Sequence, residues 1–266
     1  KGSNQAIQAA LCGAPTVMIA AIGADAAGDE ALALWAGYGI VTDAVAQLPD
    51  QHTGMATILV DAAAENVIVV DSGANAHLAP AHVDAGASLI GAAAVVVAQL
   101  ETPPAATARA FEIARAAGAA TLLNAAPAPE AIDVALLALT DILVVNEGEG
   151  RAISGVPETI RIGEALLRLG PSTVVVTLGG HGAVLFERGR PPITATPPPV
   201  TVLDTTGAGD AFAGAFAARW AVTRDVGAAL AWGVAAGSLA CTRKGAAASC
   251  ADAAEIAAAV EIAFAL

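Results

Sequence analysis

The stretch DTTGAGDAFAGAFAA, Asp204 to Ala218, puts two glycines, an alanine and a carboxylate at the start of an apolar helical pattern. Phe212, Phe216 and Trp220 recur every four residues, which predicts a helix from about Ala208 onward. Gly207, Ala208 and Gly209 then stand at its N-terminus, where backbone N–H groups lack partners and the helix dipole is positive. Such a place favours an anion, and glycine lets the backbone come close to it. Asp210 falls in the first turn. A carboxylate there can steady the helix start, or it can serve as a base beside the anion. The glycines favour the second reading, because capping does not require an approach free of side chains. The chemistry this predicts is phosphoryl transfer.

Five polar or glycine-rich positions follow apolar runs and extend the candidate site. They are Glu101 after VVVAQL, Asn124 after TLL, Asn146 after ILVV, the TLGGHG loop after TVVV, and Asp204 after VTVL. Any one of them reads as a turn or cap residue. In open α/β sheets ligands bind beyond the carboxyl ends of the strands, so the five together outline one rim.

The elements that must position these residues alternate along the chain. Short β-rich runs (TVMIAAIG, AAVVVAQL, AATLLN, DILVVN, TVVVTLG) take turns with helical ones (DEALALWAGYG, AATARAFEIARAAG, PEAIDVALLAL, and a stretch around Gly163 to Leu169). Strands that are nearly continuous apolar runs indicate a mostly parallel sheet covered by helices on both faces, a doubly wound α/β architecture. MATILVD and NVIVVD, joined by the polar AAAEN, predict a hairpin outside that sheet. PPPVTVLD reads as extended, and the opening KGSNQAIQAALCGA as helical.

With 266 residues, 56% apolar and 14% charged, the chain suits one large α/β domain over 1–266. A net charge of −13 argues against nucleic acid or an anionic membrane as partner, so an anionic substrate needs local donors. Cys12, Cys241 and Cys250 are odd in number and show no metal-ligand spacing, which fits a reducing, cytoplasmic setting. Val226 to Cys241 is too short to span a bilayer and reads as a buried helix.

DTTGAGDAFAGAF resembles the C-terminal signature of the ribokinase-like (PfkB) sugar kinases, and KGSNQA the latter part of their N-terminal signature. QLETP, LNAAPA, NEGE, TLGGHG and TRKGAAAS fall between or beyond them in matching order, so the likeness runs from Lys1 to Ser249. The resemblance implies a ribokinase-like fold and ATP-dependent phosphorylation of a sugar's primary hydroxyl, with D-ribose the implied substrate. Asp210 would take the hydroxyl proton, and the N–H groups of Gly207, Ala208 and Gly209 would receive the transferring phosphoryl group. Gly2, Asn4 and Glu101 would bind sugar hydroxyls, with Lys1 beside them. Thr177, Gly179, Gly180 and Gly182, together with Asn146 and Gly209, would bind the nucleotide, leaving His181 solvated. Asn146 and Glu149 would organise Mg2+ through water, although the same i, i+3 pair is an ordinary capping box. Asp204, Thr206, Ala240, Arg243, Gly245 and Ser249 would hold a monovalent cation, K+, mostly through carbonyls.

The family's first strand and most of its small β lid have no counterpart in this sequence. The expectation is therefore a chain truncated at its N-terminus, forming a homodimer when full-length. Rival readings are a kinase for another sugar or a nucleoside (fructose, 2-keto-3-deoxygluconate, adenosine), a non-catalytic sugar-binding protein, and a dinucleotide-dependent oxidoreductase. The last requires G-x-G-x-x-G, and GADAAG lacks its second glycine while GAGDAF has Phe212 in place of the third.

Overall fold

The computed structural model describes residues 1–60 and 66–264, so the link 61–65 within the expected hairpin lies outside the described residues. The chain opens with α1 (Gly2–Leu11), β1 (Val17–Gly23), α2 (Ala26–Gly37) and β2 (Val41–Leu48). β1 and β2 pair in parallel as a two-stranded sheet of their own. β3 (Met55–Val60) and β4 (Asn66–Asp71) form the expected antiparallel hairpin outside the main sheet. Then come α3 (Pro80–Ala85), α4 (Ala87–Gly91), β5 (Val95–Ala98), α5 (Pro104–Ala116), β6 (Ala120–Asn124), α6 (Val134–Ala138) and β7 (Ile142–Asn146). The chain continues through α7 (Glu147–Ser154), α8 (Thr159–Arg168), β8 (Thr173–Thr177), β9 (Ala183–Glu187) and β10 (Ile193–Ala195). Three helices close it: α9 (Ala208–Thr223), α10 (Val226–Ala240) and α11 (Ala253–Phe264).

β5 to β10 make a six-stranded sheet in sequential order, parallel from β5 to β8 and antiparallel at β9 and β10. Its continuous apolar strands are buried on both sides, as their composition requires. Leu143, Val145, Val174 and Val176 pack on one side with Phe111, Leu136, Ile162 and Leu166 of α5, α6 and α8. Ile142, Val144, Val175 and Leu185 pack on the other with Phe212 and Phe216 of α9 and Leu230 and Val234 of α10. The crossover helices thus cover one face and the C-terminal helix pair the other.

Two local expectations are corrected, and one strand not anticipated from the sequence is added. VTVL is extended but is not a strand: Leu203 and Asp204 N–H groups bond only the carbonyl of Cys241, and Val202 and Leu203 are exposed. A strand needs a neighbour along its length, and none lies beside this segment among the described residues. PEAIDVALLAL shrinks to the five residues of α6, because Asp133 caps Ala135 N–H at 2.8 Å and starts the helix late. VTDAVAQL, with a charge in its middle, proves to be the strand β2.

The contact that matters most for function is the crossing of α1 over α9. A Cβ on Gly214 would stand 2.4 Å from the Gln5 carbonyl oxygen and 2.8 Å from Gln8 Cβ, so the two backbones meet at a distance only glycine permits. α1 carries Asn4 and Gln5, and α9 carries Asp210. Gly214→Ala therefore sets two effects against each other. Helix propensity favours alanine by ~1 kcal/mol, whereas forcing the helices apart costs ~1–3 kcal/mol. We expect the clash to dominate, giving a lower urea midpoint together with a lower kcat. An unchanged midpoint would show that α1 yields without cost.

Candidate active site

α9 starts as its sequence predicts. Gly207 occupies the N-cap with φ +77°, and a Cβ there would press on Ala246 Cα at 2.9 Å, so both the turn and the packing demand glycine. Ala208 N–H donates to the Thr205 carbonyl at 3.3 Å, while the N–H groups of Gly207 and Gly209 have no partner among the described residues. Gly207, Gly209 and Asp210 line a cleft of about 230 Å³, and Ala208 does not.

Asp210 is 4% exposed. Both of its oxygens are held: Oδ1 accepts from Gln5 Nε2 at 3.0 Å and Oδ2 from Asn4 Nδ2 at 2.9 Å. Lys1 Nζ lies 3.9 Å from Oδ1 and lines the same cleft. The main-chain nitrogen of Lys1 donates to Glu101 Oε2 at 2.8 Å, which brings the two together, and Gly2 sits under the Gln99 side chain. Expected sugar-site residues from two places in the sequence, 1–4 and 101, are thereby linked to Asp210.

Across the cleft stand the ends of the parallel strands, with Asn124, Asn146 and Thr177 closing β6, β7 and β8. Asn146 and Glu149 do form a capping box, each side chain accepting the other's main-chain N–H at 2.8 Å. The same two residues line the cleft, so the capping box is compatible with a role there. Burial pushes the Glu149 carboxyl above its ordinary value of 4.5, against the Asn146 N–H and the charge of Lys1, which both favour ionisation. Of the TLGGHG loop only Thr177 lines the cleft. Gly179, Gly180 and His181 form an exposed turn, and Gly182 returns the chain into β9 with φ +86°.

Asp204 bridges the two loops of the expected cation site, accepting from Thr206 N–H and Gly245 N–H at 2.9 Å each. These N–H groups, Gly245 first, hold its carboxyl below the usual carboxylate range. The Arg243 side chain is committed to Glu255 and the Cys250 carbonyl, the Ala240 carbonyl accepts Arg243 N–H, and buried Ser249 donates to Ala246. Burial pushes the Cys12 and Cys250 thiols up to about 11, so neither offers a thiolate nucleophile at neutral pH.

Sequence reasoning missed Gln5 and Gln99 and gave Asn124 no role. Gln5 is 3% exposed and bonds Asn124, Asp210 and Gln99. The only signal was a pair of glutamines, Gln5 and Gln8, spaced i, i+3 on a helix whose other buried member is Ile7.

The pattern that defines the pfkB family carbohydrate kinase matches residues 1–254. The chain belongs to the pfkB family of carbohydrate kinases. It is 37% identical over 223 residues to the ribokinase of Mus musculus, which covers 82% of this chain and 69% of the mouse protein. The structure of Arabidopsis thaliana ribokinase complexed with ribose and ATP matches 98% of this chain and 86% of that one, with TM-score 0.92 and 30% identity. A putative ribokinase II from E. coli, in complex with ATP and Mg2+, matches 97% of this chain and 87% of that one, with TM-score 0.85 and 25% identity. The ribokinase-like fold follows, and the oxidoreductase reading is set aside.

Glu149 supplies a test of the site's electrostatics. Its raised pKa means that the folded chain holds the proton to higher pH than the unfolded chain, so stability falls as pH rises through that window. Glu149→Gln keeps an acceptor for Asn146 N–H and removes the buried charge. Its urea midpoint should exceed the parent's at neutral pH, and the gap should close well below pH 4.5. A gap independent of pH would show that burial does not control this carboxyl.

Proposed function

We propose that the chain transfers the γ-phosphoryl group of ATP to the primary hydroxyl of D-ribose, giving D-ribose 5-phosphate. The observation that carries this reading is the buried Asp210 carboxylate in one cleft with the N–H groups of Gly207 and Gly209, which have no partner among the described residues. Such a site offers a base for the hydroxyl and an anion hole for the phosphoryl oxygens, the two things phosphoryl transfer asks of a protein. The likeness to a ribokinase bound to ribose and ATP supports the pairing of these substrates.

Asp210 accepts the proton of the primary hydroxyl as that oxygen bonds to phosphorus and the bond to the ADP oxygen breaks. The N–H groups of Gly207 and Gly209 face the charge that develops on the equatorial oxygens. Lys1, Gly2, Asn4 and Glu101 meet the sugar, whose hydroxyls need amide and carboxylate partners. Thr177 and the turn at Gly179, Gly180 and Gly182 border the nucleotide. Asn146 and Glu149 suit Mg2+, because an amide oxygen and a carboxylate are hard donors reaching the cleft through water. Bound there, Mg2+ would neutralise phosphate charge. The Asp204 loops, with Thr206, Ala240, Arg243, Gly245 and Ser249, border the place of a monovalent cation, and their carbonyls suit K+.

We also read residues 1–266 as one kinase domain of a protein that pairs as a homodimer. The β3–β4 hairpin exposes Met55, Val69 and Val70, and a two-stranded hairpin is marginal unless its face is covered. Among the described residues no helix is long and apolar enough to cross a membrane, and the three free cysteines suit the reducing setting of a cytoplasmic enzyme.

Asp210→Asn should keep the fold and ATP binding and lose on the order of 10² or more in kcat, the usual scale for a positioned base. Near-normal turnover would remove Asp210 from that role. In a panel of ribose, fructose, 2-keto-3-deoxygluconate and adenosine, ribose should give the highest kcat/KM. Preference for adenosine would transfer the assignment to a nucleoside kinase.

A further inference from the structure

We propose that Gln5 is a positioning residue for the reaction: its side-chain amide fixes the orientation of the Asp210 carboxylate. This rests on the reading of Asp210 as base. Gln5 lies on the first full turn of α1, is 3% exposed and is not among the residues that line the cleft, whereas Asp210 is. Every hydrogen-bonding atom of its amide is used. Nε2 donates to Asp210 Oδ1 and to Asn124 Oδ1, both at 3.0 Å, and Oε1 accepts from Gln99 Nε2 at 2.6 Å.

The direction of this amide follows from its neighbours. An ionised carboxylate only accepts, so the NH2 group must face Asp210. Asn124 is anchored in turn, since its Nδ2 donates to the Val144 carbonyl on β7 at 3.2 Å, leaving Oδ1 to face Gln5. The network therefore ties the first turn of α9 to the rim of the main sheet through one glutamine. Turning the Gln5 amide over would put an oxygen against two acceptors at once, and in a buried site that is strongly disfavoured.

The other contacts to Asp210 cannot fix it in this way. Asn4 is only half-buried and borders the sugar site, so a sugar hydroxyl approaching Oδ2 competes for the same atom. Lys1 Nζ is at 3.9 Å on an exposed residue. Of the groups that bond Asp210 among the described residues, Gln5 is the buried one, and it leaves Oδ2 as the oxygen that meets the hydroxyl. Misplacing a reacting group by about 1 Å can cost on the order of 10²-fold in rate, so the orientation has a kinetic value.

The experiment is a double-mutant cycle on kcat with ribose and ATP, using Gln5→Met, Asp210→Asn and the pair. Methionine keeps the length of the side chain and removes all three hydrogen bonds. Gln5→Met should lower kcat ~10- to 100-fold and leave KM for ATP unchanged. Placed on top of Asp210→Asn it should cost almost nothing more, because a residue that acts through Asp210 has nothing left to orient. An unchanged kcat in Gln5→Met, or a full additive loss in the pair, overturns the proposal. Near-normal turnover in Asp210→Asn would instead remove the base reading itself, which is a separate result. If Gln5→Met does not fold, Gln99→Met takes its place, since it frees the Gln5 oxygen while sparing both donors. It should give a smaller kcat loss that also vanishes in the Asp210→Asn background, and an unchanged or additive effect overturns the proposal equally.

Discussion

A carboxylate that is only 4% exposed must be matched by donors, and this one has three within reach: two amides of α1 and the Lys1 ammonium group. Leaving it unmatched would cost more than most single packing defects. The burial of Asp210 thus dictates that α1 lie across the start of α9, and Gly214 makes the crossing possible by allowing the backbones to touch. The small side chains that dominate the sequence serve the same end. With Ala213, Ala215 and Ala217 buried on α9 and Ala235 and Ala236 on α10, the helices pack close enough to hold the site by backbone position.

The net charge of −13 would repel a nucleotide from almost anywhere on the surface. Attraction is confined to one cleft, where N–H groups at the start of α9 and a lysine offset it. Directional donors at fixed places are the suitable means for an enzyme that transfers a charged group, because they need not reorganise as charge moves.

Residues in this site serve structure and chemistry together. Asn146 and Glu149 start α7 as a capping box and also line the cleft. Asp204 joins the loop before α9 to the loop after α10 through two main-chain N–H groups, so both loops and the start of α9 are braced by one side chain. Glu149 shows the cost of this economy: its burial opposes the charge that a metal site would use.

Much of the molecule could be read locally. The helix beginning at Ala208, its glycine cap, the hairpin and the parallel strands all follow from periodicity and turn chemistry, which act over a few residues. The capping pair was legible as a pair, and the rim positions Asn124, Asn146 and Thr177 were legible as strand ends. The glycine-flanked helix start with its carboxylate already pointed to phosphoryl transfer, and the family resemblance, carried by short motifs at both ends of the chain, supplied the sugar. Tertiary structure alone decided that VTVL stays unpaired, because a strand exists only by virtue of its neighbour. It also decided that Gln5, 205 residues away in sequence, would hold Asp210. Nothing in the local pattern of α1 says which helix it will cross or which polar atom waits there. That choice is made by packing, through the one glycine at which the two backbones can meet.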